Sequence, residues 1–160
     1  QHAARVEEVY KDNFSQLRMA GQLDEPLYEG IVGLLDRLRA ADVALAVATG
    51  KSMRGLKAVL ARHDLSGHFI SLQTADNHPS KPHPSMIYTA LLDGDFNAAH
   101  TVMIGDTTYD IDMARAAGVI GLGVDWGYHK PEHLMASGAH SVSESADSLF
   151  QAIETTILTR

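Results

Sequence analysis

Cysteine does not occur among the 160 residues of this chain. Its absence excludes disulfides, thiolate zinc sites and cysteine nucleophiles, and suits a reducing compartment such as the cytoplasm. No apolar run approaches the roughly 18 residues that a membrane-spanning helix requires, so no membrane partner is expected. Basic charge is scarce as well. Thirteen Lys and Arg face twenty Asp and Glu, for a net charge of −7. Nothing there makes the basic stripe that binds a phosphate backbone, which argues against a nucleic-acid partner. A small anionic substrate stays open, because local charge and a bound metal override the global sign.

What is present is ordinary for a globular protein: 45% apolar and 21% charged residues, on a chain long enough for one domain with a real core. The chain opens at Gln1, without a methionine and inside a helical pattern, and reads as part of a longer protein.

Periodicity divides the chain cleanly. Val6, Val9, Tyr10, Phe14 and Leu17 recur at helical spacing, which predicts a helix over residues 3–20, with Gly21 as its stop and a linker at 24–26. A second helix carries Ile31, Leu34, Leu35 and Leu38 on one face. Segments of strand length follow at 43–48, 69–73, 101–104 and 119–124, with a brief one at 140–142, and those at 43–48, 101–104 and 119–124 are apolar almost throughout. Helical patterns separate them at about 53–63, 84–92, 110–118 and 131–135, and a last one covers about 144–158. Strands apolar throughout, alternating with helices, predict a doubly wound parallel α/β sheet buried on both faces.

Ligands of such sheets sit beyond the carboxyl ends of the strands. Thr49 and Gly50 lie there, as do Asp106 and Asp110, and Lys81 occupies the loop beyond another strand. A hydroxyl, a glycine amide and a helix amino terminus cradle an anion. Equally, Thr49 could simply cap the next helix. Gly50-Lys51-Ser52 imitates the tail of a P-loop, but Leu45 stands where that loop needs glycine. Lys81, between Ser80 and Pro82, is either a point charge for a phosphoryl oxygen or a solvated surface lysine. Asp106 and Asp110 repel unless a cation lies between them, and magnesium suits two hard oxygen ligands. Alternatively they cap and polarise a helix start. Asp112 points elsewhere on that helix. His129 and His133 are split by Pro131, and His78 and His83 lack helical spacing, so zinc is not expected. Trp126, Tyr128 and His129 follow a strand and border the site or merely pack near it.

Taken in order, Ala48-Thr49-Gly50-Lys51, Ser80-Lys81-Pro82 and Gly105-Asp106-Thr107-Thr108-Tyr109-Asp110 resemble the second, third and fourth motifs of the haloacid dehalogenase-like hydrolases. The likeness runs from about Leu27 to Arg160 and is nearest the phosphoglycolate-phosphatase-like branch. Leu27-Tyr28-Glu29-Gly30, residues 113–119 and Trp126-Gly127 fit it too. The resemblance implies a magnesium-dependent phosphohydrolase of a small-molecule phosphate monoester, working through an aspartyl-phosphate. Thr49 and Gly50 would hold phosphoryl oxygens, Lys81 would offset their charge, and Asp106 with Asp110 would hold magnesium. A dehalogenase of 2-haloacids would need no magnesium, and a receiver-type signalling domain would place its acids earlier in the chain.

One motif is missing. The family's Asp-x-Asp-Gly-Thr, which supplies the nucleophile, does not occur in these residues; the one Asp-Gly is Asp93-Gly94, in a helix-ending loop. The strand bearing that motif would run between those ending at Thr49 and Asp106, and its loss would leave both with unpaired edges. Residues 1–24 accordingly read as the end of a helical cap, and 25–160 as an α/β core lacking its first strand. Such a chain would be inactive alone, or would serve as a phosphate- or metal-binding module, acting by itself or through a partner.

Overall fold

The computed structural model describes residues 2–7 and 27–158. Strands β1 (His2–Glu7), β2 (Val43–Ala48), β3 (Ser71–Gln73), β4 (Thr101–Gly105), β5 (Ile120–Val124) and β6 (Ser141–Ser143) form one parallel sheet in the order β3-β2-β1-β4-β5-β6. Helices α1 (Ile31–Ala40), α2 (Met53–Arg62), α3 (Ser85–Gly94), α4 (Thr108–Ala117), α5 (Pro131–Ser137) and α6 (Ala146–Ile153) connect and cover them. A π-helical turn, Glu154–Leu158, continues α6. Strand order reverses its direction of growth between β1 and β4, which places the ligand crevice of such a sheet at their carboxyl ends.

The doubly wound expectation holds because successive strand residues face opposite layers. In β4, Val102 and Ile104 join Leu34, Leu35, Leu38, Leu149 and Ile153 in one cluster. Met103, between them, joins Met86, Ile87, Met113 and Ala114 in another. Every residue of β4 is buried, which is why its sequence is apolar without alternation.

At the amino terminus the structure departs from the expected helix. Residues 2–7 form a strand, with Val6 beside Val47 on one side and Ile104 on the other. It fills the central slot, so the edges of β2 and β4 are paired rather than open. The physical reason is that a strand there satisfies two rows of backbone donors and acceptors, a gain that helical periodicity in one short segment does not match. The slot is filled without the Asp-x-Asp-Gly-Thr sequence; β1 ends at Glu7, alongside Ala48. The remainder of the expected helix, from residue 8 to 20, and the linker at 24–26 lie outside the described residues.

Boundaries elsewhere shift by a few residues. The third strand keeps only Ser71–Gln73, although the Ile70 N–H before it also donates to the Leu45 carbonyl of β2. Ser52 and Ser145 cap α2 and α6 through their side chains, and Pro131 starts α5, where a missing N–H costs nothing. Leu38, fully buried, anchors α1 against the sheet. Replacing it by alanine is expected to destabilise the fold by about 2–5 kcal/mol, measured by urea denaturation.

Candidate active site

Thr49 leaves β2 fully buried, its N–H donating to the Gln73 carbonyl at 3.0 Å. Its hydroxyl does not cap α2; Ser52 does that by accepting from the Gly55 N–H. Instead Thr49 Oγ1 accepts from the Lys51 N–H at 3.1 Å, closing a tight turn around Gly50. This turn is tied to the neighbouring loop, because the Ala75 N–H reaches the Lys51 carbonyl and Asp76 accepts from the Met53 N–H. The phosphate half of the expected site therefore has a fixed backbone.

Beyond β4, Asp106 and Asp110 are both buried, with 3% and 1% of their surface exposed. Thr107, not Asp106, is the N-cap of α4. It forms a capping box with Asp110, whose Oδ2 accepts from the Thr107 N–H at 3.1 Å and its hydroxyl at 2.9 Å. The other oxygen of Asp110 accepts from Lys81 Nζ at 3.0 Å. Lys81 is not a solvated lysine; its side chain is 11% exposed. One carboxylate thus locks the helix start to the loop beyond β3. Gly105 permits this, since a Cβ there would overlap the Asp110 side chain.

Asp106 is held from the other side. Its Oδ2 accepts from the Tyr128 N–H at 2.9 Å, and its carbonyl accepts from the His129 N–H at 3.0 Å. Gly127 lies so close that any Cβ on it would collide with the Asp106 carboxylate. The His129 ring reaches back across the gap, Nδ1 accepting from the Thr108 N–H at 2.9 Å. Asp112 is exposed, as its spacing implied, and His133 is exposed as well.

The loop bearing Lys81 has its own brace. His78 bridges its two ends, Nε2 against Gln73 Oε1 at 2.7 Å and Nδ1 against the Ser85 hydroxyl at 2.6 Å. Gln73 in turn donates to Ser71 and Asp93. Histidine spacing gave no hint of this, because the partners lie on β3 and α3. His83 accepts from the Ser85 N–H within the same loop.

Among the described residues, no three His, Cys, Asp or Glu side chains gather at one point. Asp106 and Asp110 are two buried carboxylates within one five-residue segment, the donor chemistry that a hard divalent cation accepts. Thr49, Lys81, Asp106 and Asp110 all stand at the carboxyl edge of the parallel sheet, following β2, β3 and β4 along the chain.

The family model of the haloacid dehalogenase-like hydrolases matches residues 4–124. The chain belongs to this family. Phosphatases recur among the relatives of this haloacid dehalogenase-like chain. The probable phosphatase IndB of Dickeya dadantii is 40% identical over 113 residues, 69% of this chain and 49% of that protein. A phosphoglycolate phosphatase of Vibrio parahaemolyticus is 26% identical over 151 residues, covering 94% and 65% respectively. The chain thus spans about half to two thirds of the length of these curated relatives. A crystal structure of a candidate phosphoglycolate phosphatase from Lactobacillus delbrueckii superposes with a TM-score of 0.72 at 27% identity, over 79% of this chain and 53% of that one. A haloacid dehalogenase-like hydrolase of Streptococcus pneumoniae shares the fold, with a TM-score of 0.75 at 15% identity over 94% and 97% of the two chains.

Lys81→Met would leave the Asp110 carboxylate buried without its cation. Removing one partner of a buried pair costs about 3–5 kcal/mol, and the Thr107 donors place this case at the lower end. Urea denaturation of the variant measures it, and a cost below about 1 kcal/mol would show that the pair carries little.

Proposed function

We propose that this chain is the phosphate- and magnesium-holding part of a cytoplasmic phosphatase that hydrolyses a small-molecule phosphate monoester through an aspartyl-phosphate. The observation that supports the reading most is the Lys81–Asp110 ion pair, which joins the loop beyond β3 to the acidic segment beyond β4. In this reading the Thr49 hydroxyl and the Gly50 amide bind phosphoryl oxygens, and Lys81 offsets charge that grows as phosphorus is attacked. Asp106 would ligate magnesium directly. Asp110, whose two oxygens already accept from Lys81 and Thr107, would act on the ion through water and keep Lys81 aimed. Magnesium, when bound, would stabilise negative charge on the transferring phosphoryl group.

The domain reading is amended by β1: residues 2–7 belong to the sheet of the α/β core, and the proposal keeps 25–160 as the rest of that core. The nucleophilic aspartate is not part of the 160 residues, because Asp-x-Asp-Gly-Thr is absent from them. That absence favours a second reading of the chain taken alone, as a non-catalytic phosphate- and metal-binding module.

The test measures binding and turnover side by side. With magnesium present, the chain is expected to bind orthophosphate by calorimetry and to release none from phosphoglycolate or p-nitrophenyl phosphate. Lys81→Ala should weaken orthophosphate binding about tenfold, as loss of a charge-assisted hydrogen bond does. Sustained phosphate release would overturn the inactivity of the chain. Absence of orthophosphate binding would overturn the site itself.

A further inference from the structure

We propose that the loop after β5 is a clasp that fixes the Asp106 carboxylate, and that His129 is the pin that closes it: a positioning residue for the divalent cation Asp106 would ligate. The inference rests on the proposed role of Asp106.

Three hydrogen bonds and one backbone contact converge on this loop. The Tyr128 N–H donates to Asp106 Oδ2 at 2.9 Å, and the His129 N–H donates to the Asp106 carbonyl at 3.0 Å. The Gly127 backbone lies against the same carboxylate, where no Cβ fits. These contacts hold Asp106 only while the loop stays folded over it. The third hydrogen bond supplies that condition. His129 Nδ1 accepts from the Thr108 N–H at 2.9 Å. Thr108 is the first residue of α4, so its N–H is one of the donors that a helix start leaves without an intrahelical partner. Loop and helix therefore complete each other. The loop gains an anchor, and the helix gains an acceptor that Thr107 and Asp110 do not supply.

The contact also fixes the ring's chemistry. A nitrogen that accepts a hydrogen bond does so through its lone pair, so the contact uses Nδ1 as an acceptor. The geometry needs an acceptor at the Nδ1 position and nothing else of the imidazole. Asparagine places its side-chain oxygen at a comparable reach from the backbone, whereas leucine offers a similar volume with no acceptor. Groups that orient a metal ligand change affinity by about 10–100-fold when lost.

Manganese, whose paramagnetism reports binding directly, serves as the probe on the 160-residue chain. Asp106→Asn is the control for the underlying reading. In wild-type protein, manganese should bind and Asp106→Asn should remove most of that binding. His129→Leu is then expected to bind about tenfold more weakly, with His129→Asn within about threefold of wild type. Nitrogen-15 spectra of the histidine rings should show His129 as the Nε2–H tautomer, and the Thr108 amide should lose hydrogen-exchange protection in His129→Leu but keep it in His129→Asn. If His129→Leu binds manganese as wild type does while Asp106→Asn does not, the clasp is overturned and the metal reading stands. If both histidine variants weaken binding equally, the acceptor at Nδ1 is not what matters and the proposal fails. If Asp106→Asn binds as wild type, or wild type does not bind, the metal reading falls and the clasp falls with it.

Discussion

One buried carboxylate, Asp110, joins the loop beyond β3 to the acidic segment beyond β4, and the placement of Lys81 depends on it. Its two oxygens do different work: one holds Lys81 and the other closes the capping box with Thr107. A buried ion pair gives little net stability, because desolvation offsets the attraction. What it gives here is geometry. The loop beyond β3 has only a three-residue strand behind it, and Lys81 would otherwise wander with that loop. Tied to Asp110, Lys81 takes its position from α4 and β4, the most completely buried strand-helix unit of the fold. The His78 bridge between Gln73 and Ser85 braces the same loop from behind.

Most of the architecture was legible in the sequence because burial on both faces makes a parallel strand continuously apolar. Residues 43–48 and 101–104 have no other plausible fate at that length and spacing. The positions of the candidate site residues were legible for a related reason, since the strands before them were, and Thr49, Asp106 and Asp110 stand just beyond their carboxyl ends. The division of labour among them was not legible. Capping passed from Thr49 to Ser52 and from Asp106 to Thr107. The Thr-x-x-Asp spacing of a capping box was visible in residues 107–110, and could have indicated that Asp110 is engaged before any ion arrives.

Two features escaped because they depend on partners far away in sequence. Residues 2–7 carry a helical pattern, yet pair with strands that begin some forty and a hundred residues later. Periodicity measures a segment's own preference and cannot register an empty slot between two strands. His129 was expected to border the site or merely pack near it, but its hydrogen-bond partner was not legible. Its ring finds Thr108 only because β5 lies beside β4 and the loop after it turns back over Asp106. Among the described residues, His78 and His129 brace loops, and no three metal-ligating side chains gather at one point.

The central claim is that Thr49, Lys81, Asp106 and Asp110 form one site in which an anion and a divalent cation share neighbours. Such sites show thermodynamic coupling, and the coupling is reciprocal. Calorimetric titration of orthophosphate into the chain, with and without saturating magnesium, measures it directly. The account predicts tighter phosphate binding with magnesium by about fivefold or more, an effect abolished in Asp106→Asn. Equal phosphate affinity with and without magnesium would contradict it.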